Sequence, residues 1–177
     1  MPPVMKPNSL LLAASVTLLF LGTPLIAEEP TEILGGILPA ELHDASGKPV
    51  DASTLKGKTV ALYFSAHWCP PCRAFTPSLV KFRDANADKD FEIVFVSLDN
   101  SAGEKKTYIK EMEMKWLTVP GAQSKEAREL AERFEIRGIP SLIVLAPDGT
   151  VVTTNGREDV MISPDTALEK WKAKDRS

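Results

Sequence analysis

The stretch Ala61–Pro77 (ALYFSAHWCPPCRAFTP) constrains this chain more than any other, because it carries both of its cysteines, Cys69 and Cys72. Val60 to Phe64 is a short apolar, aromatic run of the kind that forms a buried strand. Trp68-Cys69-Pro70-Pro71-Cys72 follows at once, and beyond it the apolar residues fall at helical spacing. A Cys-x-x-Cys pair where a strand feeds a helix is a redox signature with a mechanism behind it. The helix start presents unpaired N–H groups and a partial positive charge, which favour the thiolate of the first cysteine. The two intervening residues make one tight turn, so the second thiol reaches the first. Proline suits that turn, since its missing N–H leaves no bond unmade in the first helical turn. The chemistry expected is thiol–disulfide exchange. Pro71 also removes an N–H that could stabilise the Cys69 thiolate, so a milder activation is expected than in strongly oxidising pairs.

At 177 residues the chain has room for one ordinary domain and a short extra piece. Its apolar fraction of 44% and charged fraction of 25% are those of a soluble globular protein. A net charge of −3 without a basic cluster gives no footprint for nucleic acid, so no nucleic-acid partner is expected. Two cysteines in one motif cannot build a disulfide framework, so their pairing must be local. Zinc is a rival use of such a pair, but it takes four ligands as a rule, and only His43 and His67 remain as good donors. Neither a metal nor a cofactor is expected.

The first residues have a pattern of their own. Lys6 precedes Leu10 to Leu21, an uncharged and mostly aliphatic run of 12 residues, and Pro24, Ala27 and Glu28-Glu29 follow. That order is expected of an export signal over residues 1–27, and the run is shorter than the ~20 apolar residues of a spanning helix. Leu25 is large where a cleavage site prefers a small residue, so an uncleaved membrane anchor is the alternative. Both place the domain outside the cytoplasm, periplasmic or secreted. Residues 28–32 read as a linker and 33–177 as the domain.

Along the domain, Ser46-Gly47-Lys48-Pro49 is a turn between Leu42 and Val50, which predicts a small hairpin on the edge. Thr59–Ser65 and Phe91–Leu98 are expected as buried strands. Phe75, Leu79, Phe82 and Ala85 share one face of a helix from Cys72 to about Ala87, with Pro77 as a kink. A second helix is expected over Lys105–Met114, with Tyr108, Ile109 and Met112 inward, then a short extended piece from Trp116 to Pro120. Ser124 caps a third helix, whose inner stripe is Ala127, Leu130, Ala131 and Phe134. Ser141–Ala146 and Thr150–Thr154 form a hairpin ended by Asn155-Gly156, and a last helix starts at Ser163 or Pro164. The order of elements implies an α/β fold, a central mixed β-sheet flanked by helices on both faces.

Tyr63 to Pro77, Phe95-Val96-Ser97-Leu98-Asp99, Trp116 to Pro120 and Gly138-Ile139-Pro140-Ser141-Leu142 together resemble the thioredoxin-fold oxidoreductases, most closely the tryparedoxin/nucleoredoxin branch. The resemblance spans roughly residues 34–157 and implies a thioredoxin-like fold with a cis Ile139–Pro140 bond facing the cysteines. Cys69 is then the attacking nucleophile and Cys72 the resolving thiol. Trp68, Pro70, Ile139 and Pro140 are the candidate substrate-binding surface. The bland alternatives are an aromatic packed on the sheet edge for Trp68 and a structural turn for Ile139–Pro140. Thioredoxin proper carries a buried acid six positions before its first cysteine, where this chain has Tyr63. Asp99 is the nearest candidate proton relay, against a loop aspartate that caps the following helix. His67 is a candidate for tuning Cys69, against an exposed, idle histidine. Arg73 reads as a rim residue, Trp116 as core and His43 as surface.

The function expected is an exported thiol–disulfide oxidoreductase that reduces or exchanges protein or peptide disulfides. It is expected to act as a monomer fed by a membrane electron donor, with the N-terminal segment, if uncleaved, as its tie to the membrane. The rivals are a disulfide-donating oxidase of the same fold and a non-enzymatic thioredoxin-fold binding module. A pure binder has no use for two thiols.

Overall fold

The computed structural model describes Met1 and residues 33–175. Apart from Met1, the export segment over 1–27 and the linker over 28–32 lie outside the described residues. Residues 33–175 belong to one unit, Glu32–Ser177. Among the described residues, no helix is long and apolar enough to cross a membrane.

The hairpin expected near the start forms as β1 (Glu41–His43) and β2 (Pro49–Asp51). Gly47 takes φ +89° in its turn, and the Asp44 carboxylate accepts the N–H groups of Ser46 and Lys48. The two buried strands form as β3 (Thr59–Ser65) and β4 (Phe91–Ser97), paired in parallel, with the helix α1 (Pro70–Asp84) crossing between them. After β4 come α2 (Ala102–Glu111), β5 (Leu117–Thr118) and α3 (Lys125–Arg133). The antiparallel pair β6 (Ser141–Leu145) and β7 (Val151–Thr153) follows, and α4 (Gly156–Ile162) and α5 (Pro164–Asp175) complete the described chain. The sheet order is β2-β1-β5-β4-β3-β6-β7, which puts the hairpin on one edge as expected. β4 pairs in parallel with β5, and β6 runs antiparallel to β3, so the sheet is mixed.

Alternation along β3 and β4 builds two cores from one sheet, because successive side chains point to opposite faces. Ala61, Tyr63, Phe91, Ile93 and Phe95 meet Phe75, Leu79 and Phe82 of α1, Tyr108 of α2, and Leu168 and Trp171 of α5. Val60, Leu62, Phe64, Val94 and Val96 meet Leu34, Leu55, and Ala127 and Leu130 of α3. Burial on both faces is why these strands read as continuous apolar runs.

Several boundaries differ from expectation, the two helix starts for local reasons and Gly156 for a contact across the fold. α1 begins at Pro70 rather than Cys72, because Cys69 itself is the residue that caps it, and the helix continues through Pro77 to Asp84. α2 begins at Ala102 rather than Lys105, because the Ser101 hydroxyl accepts the N–H of Glu104 and starts the helix a turn earlier. Asn155-Gly156 does not simply end a hairpin: Gly156 opens α4, a helix absent from the sequence reading. A Cβ at Gly156 would stand 2.9 Å from the Leu142 carbonyl, so this glycine marks close approach to β6.

The C-terminal helix is held by one aromatic anchor. Trp171 is 1% exposed, its ring meets Phe82 at 5.4 Å and Phe91 at 6.0 Å, and its indole N–H donates to Asp159 at 2.8 Å. Trp171→Ala is expected to cost about 3–5 kcal/mol, the range for deleting a buried aromatic. Urea unfolding would measure it, and a loss under about 1 kcal/mol would mean that α5 contributes little to the core.

Candidate active site

The turn from β3 into α1 places both cysteines. The Cys69 N–H donates to the Ala66 carbonyl at 3.2 Å, and Cys69 then takes an extended backbone (φ −94°) as the cap of α1. Pro70 and Pro71 occupy the first helical positions, where a missing N–H leaves no intrahelical partner lost. Cys72 is the first α1 residue with an N–H, and it donates to Cys69 Sγ at 3.3 Å. The two sulphurs are joined in a disulfide across a Cα–Cα distance of 5.2 Å. Cys69 is 4% exposed and Cys72 is fully buried, so an incoming group reaches Cys69 first.

The loop ahead of Cys69 is tied from two directions. Asp99 Oδ1 accepts the backbone N–H of His67 at 2.6 Å, and its other oxygen accepts the Ser97 hydroxyl at 2.7 Å. The Arg73 guanidinium donates to the His67 carbonyl from the first turn of α1. Burial pushes the Asp99 carboxyl above its usual value, while the His67 N–H and the Ser97 hydroxyl pull the other way. The helix after Asp99 is capped by Ser101, so the capping role considered for Asp99 falls to Ser101. Asp99 points inward and holds the loop.

Of the residues expected at the site, Trp68, Cys69, Pro70, Cys72, Ile139 and Pro140 come together. Trp68 is 52% exposed beside Cys69, anchored by its indole N–H to the Leu98 carbonyl at 3.1 Å. Pro70 is exposed, Ile139 half-buried and Pro140 buried. The Ile139–Pro140 bond is cis, and the Ile139 carbonyl oxygen lies 3.8 Å from Cys69 Sγ. His67 turns away from the sulphurs: its Nε2 meets Glu111 Oε2 at 2.8 Å and its ring lies 5.6 Å from that of Tyr108. The idle-histidine alternative therefore gives way to a paired one. Trp116 is buried in the core, its indole N–H without a partner among the described residues. His43 is partly buried on β1, 3.5 Å from Glu41.

Residues 57–151 match the family described as thioredoxin-like. The chain belongs to the thioredoxin-like family. It is 41% identical to nucleoredoxin of Homo sapiens over 140 residues, 78% of this chain and 32% of that protein. It therefore spans about a third of the nucleoredoxins it matches. It is 40% identical to tryparedoxin of Trypanosoma brucei brucei over 124 residues, 69% of this chain and 85% of that one. Among solved structures it is similar to tryparedoxin II of C. fasciculata, with a TM-score of 0.71, 36% identity and coverage of 77% and 91%. It is also similar to a thioredoxin of Wuchereria bancrofti, with a TM-score of 0.66, 46% identity and coverage of 77% and 96%. These neighbours agree with the thioredoxin-like sheet and helices described above.

Lys105, which reads in the sequence as one more surface charge, is the second charge behind this thioredoxin-like site. It is 7% exposed, and its ammonium donates to the Val119 and Gly121 carbonyls at 2.5 and 2.7 Å. Burial lowers its pKa from 10.5 to about 8, against the opposing charge of Asp99. A lowered folded-state pKa means that Lys105 contributes most to stability above 10.5, and that this contribution is lost as the pH falls through 8. Wild type should therefore gain stability relative to Lys105→Met between pH 8 and 10.5. Urea unfolding of both proteins across that range checks it, and a constant difference would contradict the burial of the charge.

Proposed function

We propose that this chain is an exported thiol–disulfide oxidoreductase that reduces or exchanges disulfides in other proteins or peptides. One observation carries the proposal: Cys69 sits at the start of α1 as the more accessible sulphur, with Cys72 sealed behind it. The Cys72 N–H and the partial positive charge of the helix start favour a Cys69 thiolate once the pair is reduced.

The exchange then runs in two steps. The Cys69 thiolate attacks one sulphur of the substrate disulfide; that bond breaks, and the first substrate thiolate leaves and takes a proton from water. Cys69 is now in a mixed disulfide. Cys72 gives up its proton and attacks Cys69 Sγ, releasing the second substrate thiolate and closing the Cys69–Cys72 disulfide. Two electrons have passed to the substrate, and a reductant must return them to the pair. We assign that role to a membrane electron donor, in keeping with the export expected from residues 1–27. Trp68, Pro70, Ile139 and Pro140 frame the approach to Cys69 and serve as the rim that receives the substrate. Asp99 and His67 act on the loop that carries Cys69. Tryparedoxin II has been solved in complex with glutathionylspermidine, which supports a thiol-carrying substrate at a rim of this kind.

The deciding measurement is the reduction potential of the Cys69–Cys72 pair in glutathione or dithiothreitol buffers. A value near about −270 mV supports the reductant, whereas one near about −120 mV reverses the electron flow and makes disulfide donation the task. Absence of any reversible dithiol–disulfide transition would remove the enzymatic proposal and leave the binding module.

Export has its own check, the intact mass of protein recovered from fractionated cells. A product lacking residues 1–27 outside the cytoplasm is expected. A full-length product in the membrane fraction would assign the segment as an anchor, and a full-length cytoplasmic product would overturn export.

A further inference from the structure

Four hydroxyls close a ring in the floor beneath Cys72. Tyr63 Oη lies 2.9 Å from Thr76 Oγ1, which lies 2.6 Å from Tyr108 Oη. Tyr108 Oη is 2.9 Å from Ser65 Oγ, and Ser65 donates back to Tyr63 Oη at 3.0 Å. All four residues are fully buried. They come from three elements, Tyr63 and Ser65 from β3, Thr76 from α1 and Tyr108 from α2. Burial, with the neighbouring Tyr108, pushes the Tyr63 hydroxyl far above the usual tyrosine range, so Tyr63 keeps its proton.

The ring has one short outlet. Thr76 Oγ1 donates to the Cys72 carbonyl at 2.8 Å, and Tyr63 Oη donates to the same oxygen over a longer 3.4 Å. Each hydroxyl owns one proton. Four protons therefore face five contacts of 3.0 Å or less, four around the ring and one at Cys72. When Thr76 donates outward, one edge of the ring carries no proton. When it donates inward, the Cys72 carbonyl loses this bond. The two tyrosines and Cys72 compete for one hydrogen.

That hydrogen matters because the turn around Cys72 is thinly tied. Pro77 has no N–H to donate, so the carbonyl of Arg73, next to Cys72, lacks its usual helical donor. In the oxidised protein the disulfide holds the two sulphurs together. In the mixed disulfide that bond is open, and Cys72 is held towards Cys69 by the hydrogen bonds to its backbone. Its N–H reaches Cys69 Sγ and its carbonyl is gripped by Thr76.

We propose that Thr76 is a positioning residue for the resolving step, holding Cys72 through its carbonyl, and that Tyr63 and Tyr108 regulate this hold by competing for the Thr76 proton. The proposal rests on the dithiol exchange above. Thr76 acts through Cys72 and touches no substrate.

The test separates the two steps. The reduced full-length chain is mixed with a limiting amount of dithiobis(nitrobenzoate), which releases one coloured thiolate when Cys69 attacks and a second when Cys72 resolves. Thr76→Val is expected to leave the first release within about twofold of wild type and to slow the second about five- to tenfold, the effect of losing one hydrogen bond of ~1 kcal/mol. Thr76→Ser, which keeps the hydroxyl, should restore the second release. In the double variant Tyr63→Phe, Tyr108→Phe the Thr76 proton has Cys72 as its acceptor, so the second release should equal or exceed that of wild type. An unchanged second release in Thr76→Val, or equal slowing of both releases, would overturn the positioning role. A slower second release in the double tyrosine variant would overturn the competition. Should Thr76→Val not fold, Thr76→Ala takes its place with the same expectations. Failure of wild type to give a second release is a separate outcome, which removes the dithiol exchange itself.

Discussion

The Asp99 carboxylate accepts the His67 N–H at 2.6 Å, and the geometry of the cysteine pair depends on that bond. Between Ser65 at the end of β3 and Pro70 at the start of α1 the chain has four residues in which to turn. Without a fixed acceptor for the His67 N–H, the loop would keep only its ties through Arg73, Trp68 and Ala66. A buried carboxylate is costly to maintain, and its bonds to an N–H and a hydroxyl offset the cost, at about 1.5–3 kcal/mol for each hydrogen bond to a charged group. The ammonium of Lys105 supplies an opposing field from the first turn of α2, its own charge satisfied by two carbonyls. Two buried charges of opposite sign thus stand behind a loop that presents sulphur to solvent.

The same site shows a trade between rigidity and chemistry in α1. Prolines at its first two positions give the helix a defined start while leaving the first free N–H on Cys72, aimed at Cys69. Pro77 then removes another donor within the helix. Side chains replace part of what the backbone gives up: Arg73 ties the first turn back to His67, and Thr76 adds a bond onto Cys72. A helix held this way remains anchored by Phe75, Leu79 and Phe82 in the core, while its N-terminal turn takes its order from hydrogen bonds.

Much of the fold was legible because its signals are local. The apolar runs of β3 and β4, the Ser124 cap and the turn at Gly47 each depend on neighbouring residues. Cys69 and Cys72 were legible for the same reason, since three positions along a helix start bring two side chains together whatever the rest does. The misreadings had non-local causes. Gly156 looked like the end of a hairpin, but its lack of a side chain serves close packing against Leu142, fourteen positions earlier. Lys105 looked like one more surface charge on a lysine-rich helix, and became buried because the segment after β5 supplies carbonyls at Val119 and Gly121.

By itself, then, the sequence determined the order of elements apart from α4, the two-faced burial of the central strands and the position of the reactive pair at a helix start. Periodicity, capping and covalent proximity are properties of residues close in the chain, and they survive without knowledge of the fold. Tertiary structure alone decided that Asp99 holds His67, that His67 pairs with Glu111, and that Tyr63, Ser65, Thr76 and Tyr108 close one ring beneath Cys72. Those contacts join residues as much as 44 positions apart, and they exist only because β4 lies beside β3 and α2 packs on the same face as α1.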